Sequence, residues 1–242
     1  MVVVRGGQAV YGAAIGILML EARFPRVIGD VGNALTFDFP VHYRVVKQAS
    51  PDRVVRQNAQ GLLDAFIEAA LDLKAHGVAG ITTNCGFLSI YQRELAEAVG
   101  LPVAASNLMQ FAMIEALLPP GQKVGIITIS KATLTGAHLR AAGVPDGTPI
   151  IGTDDGEEFS RAILGDELHL DLAKSEADLL AAAKRLVAEH PDVGAILLEC
   201  TNMCPFSAKI ATETGLPVFD MAGFIRWFQA GLRPRQYPVG LG

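Results

Sequence analysis

The chain repeats itself at half its length. Val78-Ala79-Gly80-Ile81-Thr82-Thr83-Asn84-Cys85 is an apolar run closed by a polar residue and a thiol. Val193-Gly194-Ala195-Ile196-Leu197-Leu198-Glu199-Cys200 follows the same plan. Each is followed by a helix-like stretch and then by Gly-Leu-Pro-Val, with Pro102 17 residues after Cys85 and Pro217 17 residues after Cys200. A period of half of 242 residues is too long for a solenoid. It predicts an α/β protein with two pseudo-symmetric lobes, each a mostly parallel sheet flanked by helices, and an active site in the cleft between them.

The hydrophobic pattern supports this. Short Val/Ile/Leu runs alternate with longer amphipathic stretches, the pattern of buried parallel strands covered by helices. In the first repeat, 14–20 and 78–84 read as strands, and Val103 as part of a short one. Val55, Leu62, Phe66, Ala69 and Leu73 recur at helical spacing and predict one helix over 52–75. Helices over 87–98 and from Leu108 to Leu118 complete the first repeat. The pattern restarts with strand 123–129, helix 132–142, strand 149–151 and a polar segment 152–171. A helix opening on the capping-box-like Ser175-Glu176-Ala177-Asp178 follows. Strand 193–198, a helix through Ala211, strand 218–219 and a helix over 221–230 close it. This assigns 1–103 plus 218–242 to the first lobe and 104–217 to the second. In such sheets ligands bind beyond the carboxyl ends of the strands, where both cysteines lie.

Composition excludes several classes. Half the residues are hydrophobic, so a large core is available. The net charge of −5 is dispersed, without the basic patch that nucleic acid requires. No run reaches the roughly 18 apolar residues of a membrane span. The start, from Met1 to Gln8, carries no charged leader before its apolar stretch and predicts no signal peptide. Three cysteines are an odd number and predict free thiols in a reducing, cytoplasmic setting. The five histidines neither cluster nor flank a motif, and no metal site is expected; His42 alone borders a candidate lid.

A thiol at a strand end with a helix beginning after it gains from the positive end of that helix, which favours thiolate. The same backbone N–H groups can hold a carboxylate. Gly86 allows close backbone approach after Cys85, with Thr83 and Asn84 on one side and Phe87 on the other. Thr201 and Asn202 set a hydroxyl and an amide beside Cys200. Segment 29–41 reads as a loop bordering the cleft, with Asn33 a substrate contact or only a turn residue. Thr128 and Ser130 either end a strand or hydrogen-bond a carboxylate. A single Cys in an apolar strand is ordinarily a small buried hydrophobe. The matched placement of Cys85 and Cys200 points instead to an acid–base pair, one removing a proton from a carbon and the other returning one on the opposite face. Cys204 has no counterpart, since Ser89 stands in its place.

These motifs resemble the aspartate/glutamate/hydantoin racemase superfamily, over most of the chain and most specifically at Asn84-Cys85 and Glu199-Cys200-Thr201-Asn202. The resemblance implies a cofactor-independent (PLP-independent) racemase or epimerase, with Cys85 and Cys200 as the catalytic pair. It implies a small-molecule carboxylate substrate and a homodimer, while charge and hydropathy predict no nucleic-acid or membrane partner. Amino-acid racemases of the family carry Cys-Asn-Thr in the first motif, where this chain has Cys85-Gly86-Phe87. They carry Cys-Thr followed by His or Glu in the second, where Asn202 stands here. Phe87 therefore suggests a larger or less polar substrate than aspartate. Superfamily relatives also include arylmalonate decarboxylases, which need one cysteine as proton donor, and maleate cis–trans isomerases, which use one as nucleophile. A non-catalytic small-molecule sensor on the same scaffold is the reading from another class.

Overall fold

The computed structural model describes residues 3–240. The leader reading at Met1 and Val2 lies outside them. Two four-stranded sheets carry the chain. The first is ordered β2-β1-β3-β4, from β1 (Ile15–Leu20), β2 (Val41–Val46), β3 (Gly80–Thr83) and β4 (Val103–Ala104). The second is ordered β6-β5-β7-β8, from β5 (Lys123–Thr128), β6 (Ile150–Gly152), β7 (Val193–Leu198) and β8 (Val218–Phe219). Every pairing is parallel. β1 and β7 are buried along their whole length, because a parallel strand covered on both faces has no polar side to present.

The repeated words have repeated structure. Each cysteine is followed by a 3-10 turn, Gly86–Tyr91 or Thr201–Phe206, that runs into a helix: α3 (Gln92–Val99) or α8 (Ser207–Thr214). Both helices end on glycine in the left-handed region, Gly100 at φ 61° and Gly215 at φ 70°. A side chain would strain that reversal, so the Gly of each Gly-Leu-Pro-Val stops the helix and sends the chain into β4 or β8.

The structure corrects the sequence reading in several places. The stretch after the 29–41 loop, given no element from the sequence, is the edge strand β2, whose half-exposed side chains blur the hydrophobic signal. The helix expected over 52–75 is two, α1 (Pro51–Val55) and α2 (Leu63–Ala75). They are parted by Asn58, Ala59 and Gly61 at positive φ. In the second lobe α5 (Gly136–Ala141) is shorter than expected, and the polar segment holds α6 (Phe159–Leu164). α7 (Leu172–Glu189) is capped by Asp171, whose carboxylate accepts from the N–H groups of Ala173 and Lys174; Ser175 lies buried inside the helix.

The lobe boundary also moves. β8 pairs with β7 and completes the second sheet, so 218–219 does not belong to the first lobe. The closing helix α9 (Met221–Leu232) does return to it. Its Met221, Phe224 and Ile225 share a core with Ile15 and Ile17 of β1. Reciprocally, α4 (Phe111–Leu117) follows β4 but packs on β5. Each sheet thus lends a helix to the other, which ties the lobes into one body. Among the described residues, no helix is long and apolar enough to cross a membrane.

Candidate active site

Both cysteines line one cleft between the lobes, of about 330 Å³ when the space open to solvent is counted. Leu20, Phe24, Pro51, Val55, Asn84 and Cys85 line it from the first lobe, and Ile129, Ile163, Leu164, Glu199, Cys200 and Asn202 from the second. It is narrow. Cys85 and Cys200 are only 8% and 7% exposed. At the mouth, α1 faces α6, and the backbone N–H groups of Arg23 and Phe24 donate to the Asp166 carboxylate across the lobes.

Several predicted residues build the walls rather than the floor. The Thr83 hydroxyl donates to the Ala105 carbonyl at 2.7 Å and accepts from the Cys85 N–H at 3.2 Å. The Asn84 side-chain oxygen accepts from the Leu20 N–H at 2.8 Å. The Thr201 hydroxyl donates to the Asn84 carbonyl at 2.6 Å, crossing from one lobe to the other. The Thr128 hydroxyl donates to Glu199 Oε2 at 2.9 Å, and the Ser130 N–H points back to Thr128. Gly86 packs against the Glu199 side chain and carbonyl, with no space for a Cβ.

Two expectations do not survive. Phe87 does not face the cavity; it is buried edge-on against the His138 ring at 5.0 Å, so it says nothing about substrate size. Asn33 caps a 3-10 turn, accepting from Leu35 and donating to Arg26, and lines no part of the cavity. His42 lies on β2 against His76. Cys204 sits in the core under α9.

The sequence reading passed over three residues. Asp30 is buried in the loop after β1, where it pairs with Arg26 at 3.0 Å and accepts from the Asn202 side-chain amide. The Asn202 oxygen in turn accepts from the Cys200 S–H at 3.4 Å. Glu199 is 1% exposed; its Oε2 takes Thr128 and Ile129, and its Oε1 has no partner. Glu199 stood in the quoted motif, but nothing in a strand-end Glu marks it as buried.

Burial dominates the electrostatics. It raises the Cys85 thiol well above the ordinary range, and the Glu199 charge raises it further; the backbone N–H groups of Phe87 and Leu88 and the Arg26 charge oppose. Burial and Glu199 also raise Cys200, against the Asn202 N–H alone, with Cys85 and Asp30 adding to the rise. The expected lowering by the following helical turn is present but outweighed, because the sulfur atoms are cut off from water. Burial pushes Glu199 itself up to about 7.

Such a site brings two thiols and a carboxyl to one small apolar chamber. It can move protons to and from a carbon. Among the described residues, no group of three His, Cys, Asp or Glu is placed to hold a metal ion.

The family model for Asp/Glu/hydantoin racemase matches residues 40–224. The chain belongs to that family, a superfamily of enzymes. It is 31% identical to a dimethylsulfoniopropionate lyase of Durusdinium sp. clade D, over 86% of this chain and 71% of the relative. The allantoin racemase structure from Klebsiella pneumoniae superposes with a TM-score of 0.63 at 15% identity, covering 95% of this chain and 97% of that one. An arylmalonate decarboxylase structure superposes with a TM-score of 0.58 at 19% identity, covering 93% and 96%. At those identities the two structures share the fold alone.

Proposed function

We propose that this chain is a cofactor-independent lyase. A Cys85 thiolate removes the proton α to the carboxylate of a small acid, and a leaving group departs from the β carbon. Dimethylsulfoniopropionate is the substrate we assign. Its sulfonium leaves as neutral dimethyl sulfide and its carbon chain as acrylate.

The observation that carries this reading is the asymmetry of the two thiols. The backbone N–H groups of Phe87 and Leu88 partly offset the rise that burial and Glu199 give the Cys85 thiol. Cys200 commits its S–H to Asn202, which is held in turn by Asp30. Among the described residues no side chain holds the Cys85 thiol, while Asn202 holds that of Cys200. Elimination needs only the first. The apolar wall of Leu20, Phe24, Val55 and Ile163 suits a departing sulfide, and the curated relative named above acts on this substrate class. Backbone N–H groups of the turns after each cysteine are the donors we assign to the carboxylate and to the enolate charge.

Racemisation or epimerisation is the second reading, favoured by the presence of both thiols at one cavity. One experiment separates them. Dimethylsulfoniopropionate, amino acids, hydantoins and an arylmalonate are each incubated with the protein in deuterated water and followed by NMR. Acrylate and dimethyl sulfide, lost in Cys85→Ser and largely kept in Cys200→Ser, support the lyase. Deuterium wash-in at an α carbon without elimination, lost in both variants, would replace it with a racemase. In either case we expect the protein to be a homodimer.

A further inference from the structure

The cavity contains an ionisable group that a two-thiol scheme does not use. Glu199 is buried, its Oε2 is saturated by Thr128 and Ile129, and its Oε1 is unpartnered. That free oxygen lies against Gly86, the residue after Cys85, so closely that only glycine fits. Glu199 and Cys85 line the same cavity, and after burial the Glu199 charge is the strongest influence on the Cys85 thiol. A buried carboxyl oxygen without a hydrogen bond is costly unless it has a use.

The geometry points to Glu199 as a proton-relay residue that generates the Cys85 thiolate and then carries the proton out. The inference rests on the elimination reading above. The steps balance. The Cys85 S–H proton passes to Glu199 Oε1, leaving a thiolate and a neutral carboxylic acid. The thiolate takes the α-proton, the C–S bond to the leaving group breaks, and Cys85 is again a thiol. Glu199 then releases its proton to solvent, which is the one proton the elimination sets free. Before abstraction the two groups carry one negative charge, on Glu199 and then on Cys85; between abstraction and release both are neutral. Apart from the substrate's own charges, the chamber never has to hold Cys85 and Glu199 ionised together.

The surroundings fit that single-charge account. From the turn after β3, Cys85 lines the same cavity as Glu199, and Cys200 follows Glu199 in the chain. β5 offers only the Thr128 hydroxyl and the Ile129 amide. The Arg26–Asp30 pair lies beyond Asn202. α1 and α6 present Pro51, Val55, Ile163 and Leu164, while Asp52 pairs with Arg56 and Arg161 with Glu158 away from the cavity. Beyond β8, Asp220 is engaged by Ser207 and Gly223.

Two measurements test it. The first is the elimination rate against pH. It should rise through about pH 7 in the unmodified protein, as Glu199 ionises. Glu199→Gln should lose about 100-fold or more in kcat, the lower end of what a proton-transfer group contributes, and lose that limb. Thr128→Val keeps the carboxyl but removes a donor to its anion, so its limb should move up by about one pH unit. The second needs no substrate: the rate at which methyl methanethiosulfonate labels Cys85, read by mass spectrometry. It should step up near pH 7 in the unmodified protein, not in Glu199→Gln, and later in Thr128→Val. The labelling step present without turnover of dimethylsulfoniopropionate would sink the substrate reading and leave the relay standing. Glu199→Gln with an unmoved limb and a near-normal rate overturns the relay. Should that variant not fold, an unmoved limb and labelling step in Thr128→Val overturn it alone.

Discussion

The Thr201 hydroxyl donates to the Asn84 carbonyl at 2.6 Å, and so joins the residue after one cysteine to the residue before the other. The two thiol-bearing turns belong to different sheets. Their separation is therefore set by contacts across the lobes, of which this bond is one.

Thr201→Val keeps the shape and removes the donor. The Asn84 carbonyl loses a buried partner, which costs about 1–3 kcal/mol. For a chain of this size that is a fall of a few degrees in Tm for each kcal/mol. Calorimetry should show that loss, and turnover should fall by more than the loss of folded protein explains.

Gly86→Ala places a methyl group against the Glu199 side chain and its carbonyl. The carbonyl is backbone and cannot swing aside. Overpacking of this kind costs about 1–3 kcal/mol. The variant should remain folded but inactive, because the collision displaces the carboxyl and Cys85 together. Wild-type activity with unchanged Tm would show that the lobes part more easily than the structure indicates.

Asp30→Ala leaves Arg26 without its ion pair and Asn202 without its anchor. Removing one member of a buried pair costs on the order of 3 kcal/mol. Urea unfolding should report it. Released from Asp30, the Asn202 amide no longer holds its oxygen toward Cys200, so a reaction that needs Cys200 as proton donor should suffer more than one that needs only Cys85.

Stability should depend on pH through Glu199. Its carboxyl is raised from 4.5 to about 7 in the fold, so between those values the native state holds a proton that the unfolded chain has lost. Stability from this group is full below about pH 4.5 and is lost as pH rises towards 7, on the order of 3 kcal/mol in all. His138 works the other way. Burial lowers it from 6.5 to about 4, so the unfolded chain takes the proton first and stability drops as pH falls through that range. The two oppose each other, and the difference between the unmodified protein and Glu199→Gln isolates the first. That difference should grow in favour of the variant from pH 4.5 to 7 and then level off.

Much of this arrangement was readable in the chain. The Gly-Leu-Pro-Val words mark helix ends because the left-handed turn admits glycine, a local requirement that leaves a local trace. The continuous apolar runs of β1, β5 and β7 mark buried parallel strands for the same reason. The paired positions of Cys85 and Cys200 followed from the duplication alone. Phe87 misled because it stands beside Cys85 in sequence, whereas its ring turns into the core against His138.

What the chain determined by itself was everything set by neighbours along the backbone: two copies of an α/β unit, their strand ends, and a thiol on each. Only tertiary structure decided which side chains share the chamber. The burial of Glu199, the placing of Asp30 behind Asn202 and the exchange of α4 and α9 between sheets each depend on surfaces far apart in sequence. Desolvation and electrostatic coupling arise from enclosure by all of them at once, and no single stretch of residues encodes that enclosure.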